Sequence, residues 1–439
     1  MNDSLKILIS ILGDVWEIVK VWWWLPVPFI LLQPFLFLFR WWRTEIFLEK
    51  HPFILLEIKI PKEVLKPIRA MEVVLDGLWQ IVYDAPGTLY EKWIEGMIVL
   101  SYSFEIISVE GEAHFYVRIP GANKDAIEAT IYGQYPSAEI SVVDDYTKYI
   151  PADIPNKDWD LWGADYKLLK NNPYPIKTYL EFETEKEALE EKRIDPMATL
   201  LESMAKIGKG EQLWVQITAS PVINSEVPWV DEGEQIRDEL SKRTEKAKKQ
   251  KTMFMEATDF WVSGTIPGGE EEEKKELLPP EMKLTTGERD IVSAIEKKMA
   301  KRGFNTNIRF IYLGKKEVFF KPKLRLALSF FSNFATQNLN MLVPYGQPFI
   351  TKVPPKINPL RNIFRQRKLY LRKRNMFKNY VKRDHPLFPA NRKFPSSFVL
   401  NTEELASIFH LPGQGSAPAP FIKRIETKKG EAPSGLPIE

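Results

Sequence analysis

Residues 97–119, MIVLSYSFEIISVEGEAHFYVRI, decide the reading of the fold. Met97–Val109 and His114–Ile119 are rich in β-formers, and Glu110-Gly111-Glu112 between them is a hairpin signal. Upstream, Phe53–Ile60 (FILLEIKI) is another β-rich run that ends at Pro61. Glu63–Tyr83 then carries Val64, Leu65, Ile68, Met71, Leu75, Leu78 and Trp79 at helical spacing. Downstream of the hairpin, Lys124–Tyr132 predicts a helix and Glu139–Val143 a closing strand. The order is βαββαβ, the split βαβ arrangement of ferredoxin-like, or α/β-plait, domains. His114 falls in a strand with no second ligand nearby and reads as a strand residue.

A second unit of related element order follows. Asp158–Lys170 reads as a connecting segment and Tyr174–Phe182 as a strand. Pro196–Lys206 predicts a helix, and Leu213–Ala219 (LWVQITA) alternates as a strand. A charged helix is expected over Glu232–Lys251, then an acidic loop at Gly268–Glu276. Thr285 and Glu288 match a capping box, and the helix after it carries Ile291, Val292, Ile295 and Met299 up to Gly303. Asn307–Leu313 reads as a strand and Leu324–Leu342 as an apolar-rich helix. The expected fold class is therefore α+β: an N-terminal transmembrane helix, two ferredoxin-like units in tandem, and a basic helical or extended C-terminal region. The domains are 1–45, 46–150, 151–342, 343–412 and 413–439.

The N-terminus is a different kind of sequence. From Val21 to Phe39 there is no charged residue, and Lys20 and Arg40 close the run. As a helix it spans about 29 Å, against a hydrocarbon core of roughly 30 Å. Trp22, Trp23 and Trp24 stand at one end and Trp41 and Trp42 at the other, as two aromatic belts. A secretory signal would have a shorter apolar region and a small-residue cleavage site, neither of which is visible. Pro26, Pro28 and Pro34 each remove a helix hydrogen bond, so a kinked or partly re-entrant span is expected. Upstream, Leu5, Leu8, Ile9, Leu12, Trp16 and Val19 recur at helical spacing, as in an interfacial helix. Arg40, Arg43 and Lys50 after the span, against Lys6 and Lys20 before it, lean towards a cytoplasmic body. The chain is expected in the cell membrane as a single-pass protein.

The whole chain has 439 residues, 44% of them hydrophobic and 27% charged, with a net charge of +3. That is a globular composition, and total charge points to no partner. There is no cysteine, which excludes disulfides, thiolate chemistry and cysteine zinc sites. The four histidines, His51, His114, His385 and His410, are scattered. Gly208-Lys209-Gly210 and Gly314-Lys315-Lys316 lack the spacing and the Ser/Thr of a P-loop, and no HExxH or GxSxG occurs. Acidic pairs such as Asp144-Asp145 and Glu403-Glu404 read as surface pairs. No catalytic residue, cofactor or metal is expected.

Charge is concentrated near the C-terminus. After the proline-rich connector Pro344–Pro359, residues 361–383 hold Arg361, Arg365, Arg367, Lys368, Arg372, Lys373, Arg374, Lys378, Lys382 and Arg383, with no acidic residue before Asp384. Ile363, Tyr370 and Phe377 recur every seven residues, so a basic amphipathic helix is predicted. Nucleic-acid phosphates, anionic lipid and an acidic protein surface all suit it, and so does plain solvent over a core stripe. Gly413–Glu439 reads as a flexible tail.

The stretch Asn401–Gly413 (NTEELASIFHLPG), with Ala417-Pro418 and the ending KRIETKKGEAPSGLP, resembles the segment just before the ATPase domain of coupling-type ATPases of conjugation and type IV secretion, notably those of small-genome bacteria. DLWGADYKLL, PYPIKTYLEFE and TGERDIVSAIEKKMAKRGF resemble the N-terminal membrane-bound part of the same proteins. In those proteins a nucleotide-binding domain follows, whereas this sequence ends at Glu439. The resemblance thus implies a non-enzymatic membrane adaptor for a separately encoded P-loop ATPase, docked through Glu404, Leu405, Phe409 and His410. DNA contact through the basic helix and homo-oligomers are further expectations. A membrane-tethered nucleic-acid-binding protein is the alternative.

Overall fold

The computed structural model describes residues 13, 16–17, 20–22, 24–59, 66–182, 195–240, 284–346, 350–355, 364–383 and 397–412. The chain divides into two compact units, residues 1–52 with 84–100, and residues 53–83 with 101–439.

The first unit is built on helix α1 (Pro26–Lys50), which continues a helical stretch from Lys20 across a turn at Trp24–Leu25. Pro26 and Pro28 lie in the first turn, where backbone amides have no helical partner, and only Pro34 falls inside. The interruption thus precedes the prolines. A π-helical turn at Glu91–Glu95 ends on Gly96, whose φ is +73°. A Cβ on Gly96 would lie 2.3 Å from the Arg43 carbonyl group, so only glycine fits both the left-handed backbone and this approach to α1. Arg43 Nε donates to the Ile94 carbonyl.

The second unit contains, in chain order, β1 (Phe53–Lys59), α2 (Arg69–Val82), β2 (Tyr102–Val109), β3 (Glu112–Pro120), α3 (Lys124–Gln134), β4 (Glu139–Val143) and β5 (Trp159–Leu168). Then come α4 (Pro196–Ala205), β6 (Glu211–Val222), α5 (Trp229–Leu240), α6 (Thr286–Met299), β7 (Gly303–Lys315), α7 (Leu324–Ser332), β8 (Leu342–Pro344), α8 (Arg365–Lys382), β9 (Phe398–Asn401) and α9 (Thr402–Ile408). The strands make one antiparallel sheet in the order β4-β1-β3-β2-β6-β7-β5-β8, with β9 on the free part of β7. Register is set by period-two burial: Phe104 faces Val117 and Ile217, while Glu105 faces Tyr116 and Gln216.

One face of the sheet is apolar. Phe104, Ile106, Phe115, Val117, Val215, Ile217, Ile308 and Phe310 are buried there. Helices cover it: Tyr102 donates to Leu78 O of α2, Ser108 to Met204 O of α4, and the Phe409 ring after α9 lies 5.0 Å from that of Phe104. Removing each such side chain from water contributes roughly 1.5–3 kcal/mol. The opposite face mixes apolar Ile107, Trp214 and Ile311 with Glu105, Gln216, Arg309 and Asp165. Residues 146–154 and the α8 side chains Met376, Phe377 and Tyr380 cover it.

Several expectations change. Asp158–Lys170 is not a connector but supplies β5, whose two sets of side chains, Leu161, Gly163 and Asp165 on one face and Trp162, Ala164 and Tyr166 on the other, are all buried. Tyr174–Phe182 is not a strand; it ends in one helical turn, Tyr179–Phe182. Leu324–Leu342 breaks after Ser332, and Leu342 opens strand β8. The boundary between 46–150 and 151–342 crosses continuous pairing of β2 with β6 from Tyr102–Ala219 to Val109–Gln212. Residues 343–412 are not a separate connector, since β9 and α9 are part of the body. The helix over Glu232–Lys251 is described only to Leu240, and the acidic loop Gly268–Glu276, the tail Gly413–Glu439 and most of the interfacial helix lie outside the described residues. The capping box at Thr285 and Glu288 forms, with both of its hydrogen bonds.

Candidate functional site

The mixed face of the sheet holds a buried polar cluster beneath the C-terminal end of α8. Arg383 sits at its centre. Its Nε donates to Glu105 Oε1 at 2.7 Å and Nη2 to Oε2 at 3.2 Å, while Nη1 and Nη2 donate to Asp145 at 2.6 and 3.1 Å. Glu105 also accepts from Ser103, Gln216 and Tyr146. Tyr146 meets the Tyr380 hydroxyl at 2.8 Å, and Gln216 donates to the Tyr380 carbonyl. One strand further, Arg309 Nε donates to Asp165 at 2.6 Å. Leaving a buried charge unpaired is costly; here each carboxylate has an arginine, and Glu105 and Asp145 have further donors as well.

The electrostatics follow. Burial alone would raise the Asp145 carboxyl, but Arg383 together with the Thr147 amide and hydroxyl holds it below the usual carboxylate range. Burial works most strongly on Arg383, against its charge, but Glu105, Tyr146 and Asp145 together outweigh it, so the guanidinium is held more firmly charged than usual. Burial pushes the Tyr146 and Tyr380 hydroxyls well above their ordinary value, keeping both neutral donors. Arg383 adopts φ +58°, a left-handed conformation usually left to glycine at this position after a helix. The backbone strain, about 1–2 kcal/mol, is offset by the two carboxylates it reaches. Nothing in the basic run marked Arg383 as the residue that turns inward; the later-acting signal is Glu105, a lone acid in an apolar strand.

The rest of α8 divides by face. Lys373, Met376, Phe377 and Tyr380 point inward, and Lys373 pairs with Asp160 at 2.5 Å. The stripe is therefore not the seven-residue repeat read from Ile363, Tyr370 and Phe377: Tyr370 is exposed and Ile363 lies outside the described residues. Arg365 donates to Val353 O, Arg372 to Lys352 O and Arg374 to the Tyr370 hydroxyl. Arg367, Lys368, Lys378 and Lys382 are exposed. With Arg374, the residues 367, 374, 378 and 382 line one outer face over about 22 Å. Arg361 lies outside the described residues.

The four residues expected to dock a partner are instead internal. Glu404, Leu405, Phe409 and His410 are all buried. Glu404 closes the α9 capping box with Asn401, accepts from Ile176 N, and pairs at 3.0 Å with Lys298, itself buried. Burial pushes Glu404 up and Lys298 down, each against the attraction of the other. His410 bridges the Ala406 carbonyl and Asp195 at 3.0 and 2.9 Å. The reason is that the segment is short and enclosed: the four-residue strand and the seven-residue helix after it are buried on every side, so their polar groups must be satisfied inside. Of the expected anchor residues, Trp22, Trp24, Trp41 and Trp42 are exposed, as are Phe29, Ile30, Leu31 and Phe35 between them. Arg40 lies over the Trp93 ring and Arg43 over that of Trp42, at 5.9 and 5.7 Å. Trp23 lies outside the described residues. No cluster of three or more metal-type ligands occurs among the described residues.

These features define an α+β protein with one antiparallel sheet and an N-terminal helix that is long and apolar enough to cross a membrane. The chain belongs to the family described as Domain of unknown function (DUF8128), whose match covers residues 89–417. No curated protein matches it in sequence.

Proposed function

We propose that the chain is a single-pass membrane adaptor, non-enzymatic itself, whose body faces the cytoplasm and docks a P-loop ATPase of a DNA- or protein-transfer system. The observation that carries this is the apolar helix Lys20–Lys50, none of whose most apolar window is buried against protein. Such a surface is favourable only in lipid or against a partner. The tryptophans at both ends support an anchor over a removable signal. The likeness to the membrane-bound parts of coupling ATPases supports the class of partner. The outer face of α8 is the docking surface, in place of the buried α9.

The body is read as two plait units fused along the β2–β6 seam. Outward from that seam the orders β2-β3-β1-β4 and β6-β7-β5-β8 correspond position by position. Helices α2 and α3 fill the crossovers of one half and α4 and α7 those of the other. Where the first half has a hairpin, the second carries α5, α6 and the residues between them.

Affinity purification of the full chain from detergent-solubilised native membranes tests the role. A P-loop ATPase should co-purify with the wild type and be lost with R367E/K368E/K378E. Its absence from the wild-type preparation contradicts the reading. The exposed cations favour one further reading, direct nucleic-acid binding. About four phosphate contacts would give a slope near −3.6 in log affinity against log salt, or roughly a hundredfold loss from 50 to 200 mM. A shallow slope, or one unchanged in the same variant, excludes it.

A further inference from the structure

Beside α1, in the same compact unit, residues 84–96 turn apolar side chains outward. Leu89 is 75% exposed, Tyr90 62% and Ile94 42%. Tyr90 and Ile94 are four residues apart across the π-helical turn Glu91–Glu95, and Leu89 and Ile94 are five apart, so all three fall on one side of it. Single exposed apolar residues are ordinary, but three on one turn beside an uncovered apolar helix form a continuous surface.

The turn is fixed at a definite level of α1. A Cβ on Gly96 would strike the Arg43 carbonyl group, Arg43 Nε donates to the Ile94 carbonyl, and the Arg40 guanidinium lies 5.9 Å from the centre of the Trp93 ring. Going back along the chain from Gly96 to Trp93 therefore moves from Arg43 to Arg40, about 4.5 Å along the helix. That direction leads towards the uncharged run that ends at Phe39. Trp41 and Trp42 are exposed at the same level of α1. Tyrosine and tryptophan favour the headgroup boundary, and Tyr90 and Trp93 add one of each to this belt. Charge attraction does not explain the surface, because residues 84–96 hold Asp84, Glu91 and Glu95 against Lys92 alone. The Glu91 carboxylate is engaged by its own backbone, accepting from the amides of Gly87 and Thr88 at 2.7 and 3.2 Å.

We propose that residues 89–94 form a second membrane contact: Leu89, Tyr90 and Ile94 enter the headgroup boundary of the bilayer beside the end of the span, as an apolar and aromatic foot that a neutral phosphatidylcholine surface suffices to hold. This rests on the anchor reading of α1 and adds to it. Tethered to Arg40 and Arg43, the foot fixes how far the helix can slide along the bilayer normal and which side of it faces the surface.

The test is the membrane depth of a nitroxide label. The chain has no cysteine, so one introduced cysteine takes the label alone. Full-length Leu89→Cys, Ile94→Cys and, as a marker of the span, Phe29→Cys are labelled and placed in palmitoyl-oleoyl phosphatidylcholine nanodiscs. Accessibility to oxygen is then compared with accessibility to a water-soluble nickel chelate. The label at 29 should favour oxygen. The oxygen-to-nickel ratio at 89 should be about threefold or more above that of the same label in a Tyr90→Asp/Ile94→Asp background, and the ratio at 94 likewise against Leu89→Asp/Tyr90→Asp. The charged backgrounds should leave the label at 29 unchanged. A label at 29 in lipid, with labels at 89 and 94 indifferent to the added charges, overturns the foot and leaves the anchor standing; a nitroxide that inserts by its own affinity gives this result too. A label at 29 in water overturns the anchor, and the foot with it.

Discussion

Arg383 shows how a single side chain decides where a basic helix ends. Its guanidinium faces Glu105 and Asp145, both carboxylates that have left bulk water in whole or part. Arg383→Met keeps the stem and removes the charge, which strands two carboxylates. The expected loss is about 3–5 kcal/mol, read as a fall in the urea midpoint of the detergent-solubilised chain. Arg383→Gly relieves the left-handed backbone and should still lose most of that stability; a neutral Arg383→Gly would show that strain, not pairing, dominates. Asp145 adds a pH dependence with a definite sign. Its folded carboxyl ionises below its unfolded value, about 3.9, so in that range the native state binds fewer protons than the unfolded one. Its contribution is complete above the unfolded value and fades as pH falls through the folded one. Urea midpoints measured from pH 6 to 3 should drop more steeply for the wild type than for Asp145→Asn.

Among the elements, α8 against β5 is the contact most open to disturbance. Gly163 lies directly beneath it: an added Cβ would meet Phe310 O at 2.7 Å and Met376 Cγ at 3.2 Å. Gly163→Val should lift α8, cost about 1–3 kcal/mol, and speed tryptic cleavage within residues 365–382 several-fold. An unchanged cleavage rate would place the helix elsewhere. The same element shows what the sequence could and could not disclose. The helix itself was legible, because a basic run with recurring apolar residues has one regular solution. Its buried side was not: Lys373 and Arg383 are indistinguishable by type from Arg367 and Lys378, and only the acids Asp160, Glu105 and Asp145, distant in sequence, separate them. The first four strands were legible for the same reason as α2 and α3, their local periodicity. Strand β5 was not, since burial on both faces erases the alternation that marks a strand, and its Trp-Asp-Leu-Trp-Gly-Ala-Asp start resembles a loop. The segment before α9 failed differently. Its motif was noticed, but a motif does not say whether it faces a partner or the chain's own core.

At the scale of the molecule, the account joins an apolar helix to a body whose buried charges are answered by internal partners, with a row of exposed cations along the outer face of α8. The adaptor reading needs the helix to stay in the protein and in the bilayer. Sodium carbonate at pH 11 strips peripheral proteins from membranes and leaves integral ones. Intact-mass analysis of the same sample reports whether residues 1–45 remain. The account predicts that the full-length chain stays in the carbonate-resistant pellet with its N-terminus present, and that deleting residues 1–45 moves the body to the supernatant. Recovery of the intact chain in the carbonate supernatant, or of a mature chain cleaved within that segment, would contradict it.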